Sequence, residues 1–172
     1  MEFTELYDIN RQKTGNTLER GQKTPPGEYR LVVHVCIFHP DGRMLIQRRQ
    51  PFVIGWPGRW DVSMGGNAVV GDTSQTAVQR ELREELGIDY DFTDVRPAMT
   101  ANFPEGFDDF YTLTMELDLA DLQLQKEEVC DARWATREEI MEMIDNGLFI
   151  PYEKGLIQYL FFLKDHQGCW ET

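Results

Sequence analysis

Glu81, Glu84 and Glu85 stand at i, i+3 and i+4 in the run Arg80-Glu81-Leu82-Arg83-Glu84-Glu85-Leu86, the spacing that puts side chains side by side on a helix. Like charges so placed destabilise a helix by about 0.2–0.5 kcal/mol per pair unless something positive lies among them. Hard oxygen donors select Mg²⁺ or Mn²⁺, ions that keep several waters and take phosphate oxygens as further ligands. The chemistry open to such a group is that of a cation holding a phosphate compound. A solvated acidic face offset by Arg80 and Arg83 has the same spacing.

The element that must carry these residues is a helix over Thr73–Leu86. Asp72 stands at the N-cap with Gln75 completing a capping box, and Gly87 supplies the stop. At about 100° per residue from Val78, Leu82 falls at about 40° and Leu86 at about 80°, which makes one apolar stripe. Glu85 falls at about −20°, Glu81 at about −60° and Glu84 at about −120°, so the carboxylates border that stripe.

Around this helix the pattern predicts strands. Arg30–Phe38 is β-branched and almost wholly apolar, as in a strand covered on both faces. His39-Pro40-Asp41-Gly42 reads as the turn of a hairpin to a strand at Met44–Arg49. Further strands are expected near Val95–Ala101, Phe110–Leu117 and Ala132–Ala135, and closing helices at Arg137–Asn146 and Tyr152–Lys164. The fold class is α/β, a mixed β-sheet layered by helices. The breakers Lys23-Thr24-Pro25-Pro26-Gly27 divide residues 1–28, read as a short β-hairpin extension, from a body at 29–172.

The 172 residues suit one ordinary domain. Seventeen basic against 30 acidic residues give a net charge of −13, which repels nucleic acid and anionic membranes and argues against both as partners. A diphosphate would need local arginines or bound cations to enter such a field. Three separated cysteines fit a reducing compartment, and the absence of an apolar leader or span leads us to expect a cytoplasmic protein.

Gly66, Asp72 and the run Arg80-Glu81-Leu82-Arg83-Glu84-Glu85-Leu86-Gly87-Ile88 together resemble the signature of the Nudix hydrolase superfamily. Asp72 departs from the usual glutamate. The resemblance covers roughly Tyr29 to Lys164 and implies a Nudix-type α/β/α sandwich. It also implies a pyrophosphohydrolase requiring Mg²⁺ or Mn²⁺ and acting on a nucleoside diphosphate, free or linked to another group. By position it implies metal ligation by Glu81 and Glu85, with Glu84 as a further ligand or general base. It adds a backbone carbonyl of Gly65 or Gly66, and a later loop acid, Glu127 or Glu128. Arg80 resembles the family's orienting arginine.

Arg48 and Arg49 alternate across the strand end, so one of them can face a diphosphate; a solvated strand edge fits them equally. Trp56 and Trp60 flank Pro57-Gly58-Arg59 and could stack on a base or pack in the core. This segment resembles a subgroup containing isopentenyl diphosphate isomerase, which gives a second reading. Gly65 and Asn67 stand where that enzyme has its catalytic Cys and metal-binding His, so both groups are missing. A third reading is a silent nucleotide- or protein-binding domain, which three adjacent carboxylates oppose. His34 and Cys36, inside the apolar strand, read as core residues. The leader could also pair with a second subunit in a homodimer.

Overall fold

Along the strand Arg30–Phe38, Val33, Val35 and Ile37 enter one apolar cluster while Cys36 and Phe38 enter another. This strand therefore separates two cores, as its near-continuous apolar run predicts. In the computed structural model, which describes residues 2–170, it is the third of nine strands. Met1, Glu171 and Thr172, which the sequence reading assigned to the extension and the body, lie outside the described residues.

The leader forms the hairpin β1 (Phe3–Tyr7) and β2 (Lys13–Glu19), a separate two-stranded sheet. It packs on its own body. Tyr7 and Tyr29 exchange backbone hydrogen bonds of 2.8 and 2.9 Å, and Val70 N donates to Phe3 O at 2.9 Å.

The main sheet contains β3 (Arg30–Phe38), β4 (Met44–Arg49), β5 (Trp60–Asp61), β6 (Met64–Asn67), β7 (Met99–Phe103), β8 (Gly106–Thr114) and β9 (Val129–Ala135). Its order is β5-β4-β3-β8-β7, with β6 also pairing β3 and β9 also pairing β4. β3 and β8 run parallel in register from Arg30↔Gly106 to Phe38↔Thr114.

The expected β3–β4 hairpin is present only at its turn, where Phe38 pairs with Met44. Beyond that pair the strands part. Val32–Val35 pair with β6 and Met44–Arg49 with β9, which opens a fork in the sheet.

The central helix, α1 (Ser74–Leu86), buries Val78, Leu82 and Leu86 against one face of the sheet. α2 (Arg137–Asp145) and α3 (Lys154–Leu163) cover the other face through Ile140, Ile157 and Leu160. Helices on both faces of a mixed sheet make the predicted α/β/α sandwich.

Several boundaries differ from expectation: β8 spans Gly106–Thr114 instead of Phe110–Leu117, β9 begins at Val129 instead of Ala132, and three further differences have a local cause. Asp72 is not the N-cap: Thr73 caps α1, accepting from Thr76 N at 3.2 Å while Thr76 Oγ1 accepts from Thr73 N at 2.8 Å. Asp72 is drawn away by Arg80, which donates to it at 2.8 Å. β7 begins at Met99 because a turn closed by Val95 N on Phe92 O precedes Pro97. α3 begins at Lys154 because Tyr152 N bonds Ile150 O in a turn after Pro151.

Candidate active site

The sheet fork and the carboxylate edge of α1 face each other across a cleft of about 470 Å³. Gly66, in β6, brings the backbone there. A Cβ on this glycine would lie 2.6 Å from Glu81 Oε1, so only glycine allows the carboxylate to approach the strand.

Glu81 and Glu85 are 9% and 4% exposed, whereas Glu84 stands in solvent at the rim. This is the order set by their angular distance from the apolar stripe. Burial pushes Glu81 up to about 7 against the opposing pull of Arg80. Burial, followed by the neighbouring Glu81 charge, raises Glu85 well above the carboxylate range, opposed by the Gln47 hydrogen bond. Both directions identify negative charge that the protein itself compensates incompletely.

Arg80 collects the acids of its own helix turn. Nη1 donates to Glu81 at 3.0 Å and Glu84 at 3.2 Å, and Nη2 donates to Asp72 at 2.8 Å and to Asn67 O at 3.1 Å. Although burial opposes its charge, these carboxylates hold the guanidinium above its ordinary value. Glu85 lies beyond its reach and accepts from Gln47 Nε2 at 2.8 Å.

Among the described residues, no three His, Cys, Asp or Glu side chains form a ready-made cage for a metal. The donor set nevertheless suits a hard cation. Two buried, under-neutralised carboxylates beside backbone at Gly65 and Gly66 leave places for water and phosphate, as Mg²⁺ requires.

The cleft also contains Glu128, which accepts from Arg20 Nη2 at 3.1 Å and lies 3.9 Å from Arg49 Nη2. Glu127 is exposed and outside the lining. Arg49 faces the cleft and donates to Gly55 O at 3.1 Å. Strand alternation turns Arg48 away to Gly58 O, at 3.1 Å. Trp56 borders the cleft with φ +50°, and the Arg59 guanidinium lies 5.5 Å from its ring. Trp60 lies outside the lining, with Arg133 stacked at 5.2 Å on its ring and the α2–α3 core beneath. Arg48, Trp60 and Glu127 are therefore not brought to the cleft.

Sequence reasoning missed several groups that are. Arg20 arrives from the leader and Arg30 from the start of β3. Asp61 accepts from Tyr152 OH at 2.9 Å, and His34 Nδ1 lies 2.6 Å from Asp108 Oδ1. Despite its burial, His34 is lifted above its ordinary value by the Asp108 carboxylate. These pairs join β3 to β8 and β5 to the segment before α3, contacts that no local pattern signals.

The sequence profile of the NUDIX domain matches residues 28–153. An uncharacterised Nudix hydrolase of Listeria monocytogenes is 48% identical over 165 residues, 96% of this chain and 96% of that protein. Isopentenyl-diphosphate Delta-isomerase of Salmonella typhi is 29% identical over 148 residues, 83% of this chain and 82% of the enzyme. A crystal structure from Deinococcus radiodurans has the same fold, with a TM-score of 0.76 at 23% identity over 92% of this chain and 99% of the other.

Proposed function

The chain belongs to the NUDIX domain family and is a hydrolase, and we propose from that premise that it cleaves a diphosphate linkage in a nucleoside diphosphate, free or linked to another group. The observation that carries this reading is the pair of buried carboxylates, Glu81 and Glu85, facing a cleft that also presents Arg20, Arg30 and Arg49. Carboxylates offer a cation its ligands, and guanidiniums offer phosphate bidentate donors.

Glu81 and Glu85 would hold Mg²⁺ or Mn²⁺, with Glu128 and a carbonyl of Gly65 or Gly66 as the additional donors. The cation would neutralise the diphosphate and acidify water. Glu84, at the solvent edge, would accept the proton of the attacking water. Arg80 would fix the Glu81 rotamer through its 3.0 Å hydrogen bond. Arg49 would bind a phosphate oxygen and orient the linkage, while Trp56 would stack on the ring of the nucleoside.

Gly65 weighs against the isomerase reading. A Cβ there would lie 2.5 Å from His34 Cδ2, so this backbone has no room for the thiol that chemistry uses. Incubation with a panel of nucleoside diphosphates and their conjugates tests the proposal. Mg²⁺-dependent release of phosphate or nucleoside monophosphate, abolished by chelator, is expected. Isomerised isopentenyl diphosphate, or nucleotide binding with no turnover of any diphosphate, would overturn it.

A further inference from the structure

Gln47, in β4, is 1% exposed, and its side chain has one hydrogen-bond partner: Nε2 donates to Glu85 Oε2 at 2.8 Å. Its other amide atom, Oε1, is buried without a partner among the described residues. A buried acceptor left unpaired is unfavourable, so packing stability does not account for an amide at this position. The amide's orientation follows from Glu85, because only the NH₂ end can face a carboxylate.

The two buried glutamates are thus held differently. Glu81 is held by Arg80, a full positive charge on the same helix. Glu85 is held by a neutral donor projecting from the sheet, between partners in β5 and β9. A neutral donor fixes the direction of the carboxylate without cancelling its charge, which leaves that charge available to a cation.

We propose that Gln47 is a positioning residue that aims the Glu85 carboxylate into the cleft for a divalent cation. The inference rests on the reading of Glu85 as a metal ligand. Removing a hydrogen-bond partner behind a ligand typically lowers metal affinity by about 10–100-fold.

The test is equilibrium Mn²⁺ binding, followed by the electron paramagnetic resonance signal of free Mn²⁺, for wild type, Gln47→Met, Glu85→Gln and the double variant. Methionine keeps the length of glutamine and removes the donor. Gln47→Met is expected to weaken Mn²⁺ binding at least about tenfold, and to weaken it no further in the Glu85→Gln background. Should Gln47→Met not fold, Gln47→Asn, which withdraws the amide by one methylene, takes its place with the same expectation. Wild-type Mn²⁺ affinity in the Gln47 variant, or an effect that persists undiminished without Glu85, would overturn the inference alone. Unchanged Mn²⁺ binding by Glu85→Gln would instead remove the metal-ligand reading beneath it.

Discussion

Arg11, between the two strands of the leader, places Nη1 and Nη2 at 3.1 and 2.8 Å from the two carboxylate oxygens of Asp109 in β8. Asp109 is 1% exposed and also accepts from Ser74 Oγ at the start of α1 and Thr100 Oγ1 in β7, at 2.7 and 2.6 Å. One carboxylate therefore ties the leader, the helix carrying the glutamates and two strands together. Burial alone would raise Asp109, but the hydrogen bonds from Arg11, Thr100 and Ser74 hold it below its ordinary value.

Arg11→Met leaves that buried carboxylate short of its charged partner and is expected to destabilise the fold by about 1–3 kcal/mol at neutral pH. The exposed side of the guanidinium keeps the effect from being larger. A lowered carboxylate pKa contributes stability above the unfolded value and loses it as pH falls through the folded value. The gap between variant and wild type should accordingly close on acidification below the ordinary carboxylate range. Urea unfolding across pH measures it, and a pH-independent gap would contradict the assignment.

Glu84→Gln and Glu85→Gln should each lower kcat at least about tenfold and still fold. Glu84 stands in solvent, so its neutralisation disturbs no packing. At Glu85 the change replaces a buried acid whose ionised form burial disfavours, so stability should hold or rise. Circular dichroism melts alongside steady-state rates separate the two effects; near-normal turnover in folded Glu85→Gln would remove its role.

Divalent metal should stabilise the fold, because a ligand of the native state alone adds about 2.7 kcal/mol at a hundredfold excess over its Kd. The expected result is an Mg²⁺- or Mn²⁺-dependent rise in Tm that chelator reverses and that Glu85→Gln abolishes. Calorimetry at fixed ionic strength checks it, since general screening would raise both proteins alike.

Glu81, Glu84 and Glu85 were legible because helical periodicity converts spacing directly into depth: the residue farthest from the Val78–Leu82–Leu86 stripe is the exposed one. The β-branched run placed β3, and the His39–Gly42 turn placed β4, to the residue. The fork between them was not legible, since the pairing partners of β3 lie as far away as Gly65 and Phe110 and no local signal specifies them. β5 spans two residues and β6 carries two glycines, too little for a periodic pattern. Asp72 misled because aspartate favours N-caps, whereas Arg80, two helical turns on, competes for it. Asp61 and Arg20 reach the cleft, and Gln47 reaches Glu85, only through tertiary packing.

Arg49 and Trp56 should govern substrate affinity more than turnover, because Arg49 Nε holds Gly55 O at 3.1 Å beside Trp56 and both side chains border the cleft. Stacking of a ring on Trp56 contributes about 0.5–1.5 kcal/mol, equivalent to a KM rise of about 2–13-fold in Trp56→Ala. Arg49→Ala should raise KM by more, since it removes both a phosphate donor and the tether of that loop. Arg48→Ala and Trp60→Phe supply the controls, because their side chains face away from the cleft. Steady-state kinetics on the best nucleotide of the panel decides: equal KM changes for Arg48→Ala and Arg49→Ala would mean that strand alternation at this edge does not sort the two arginines by function.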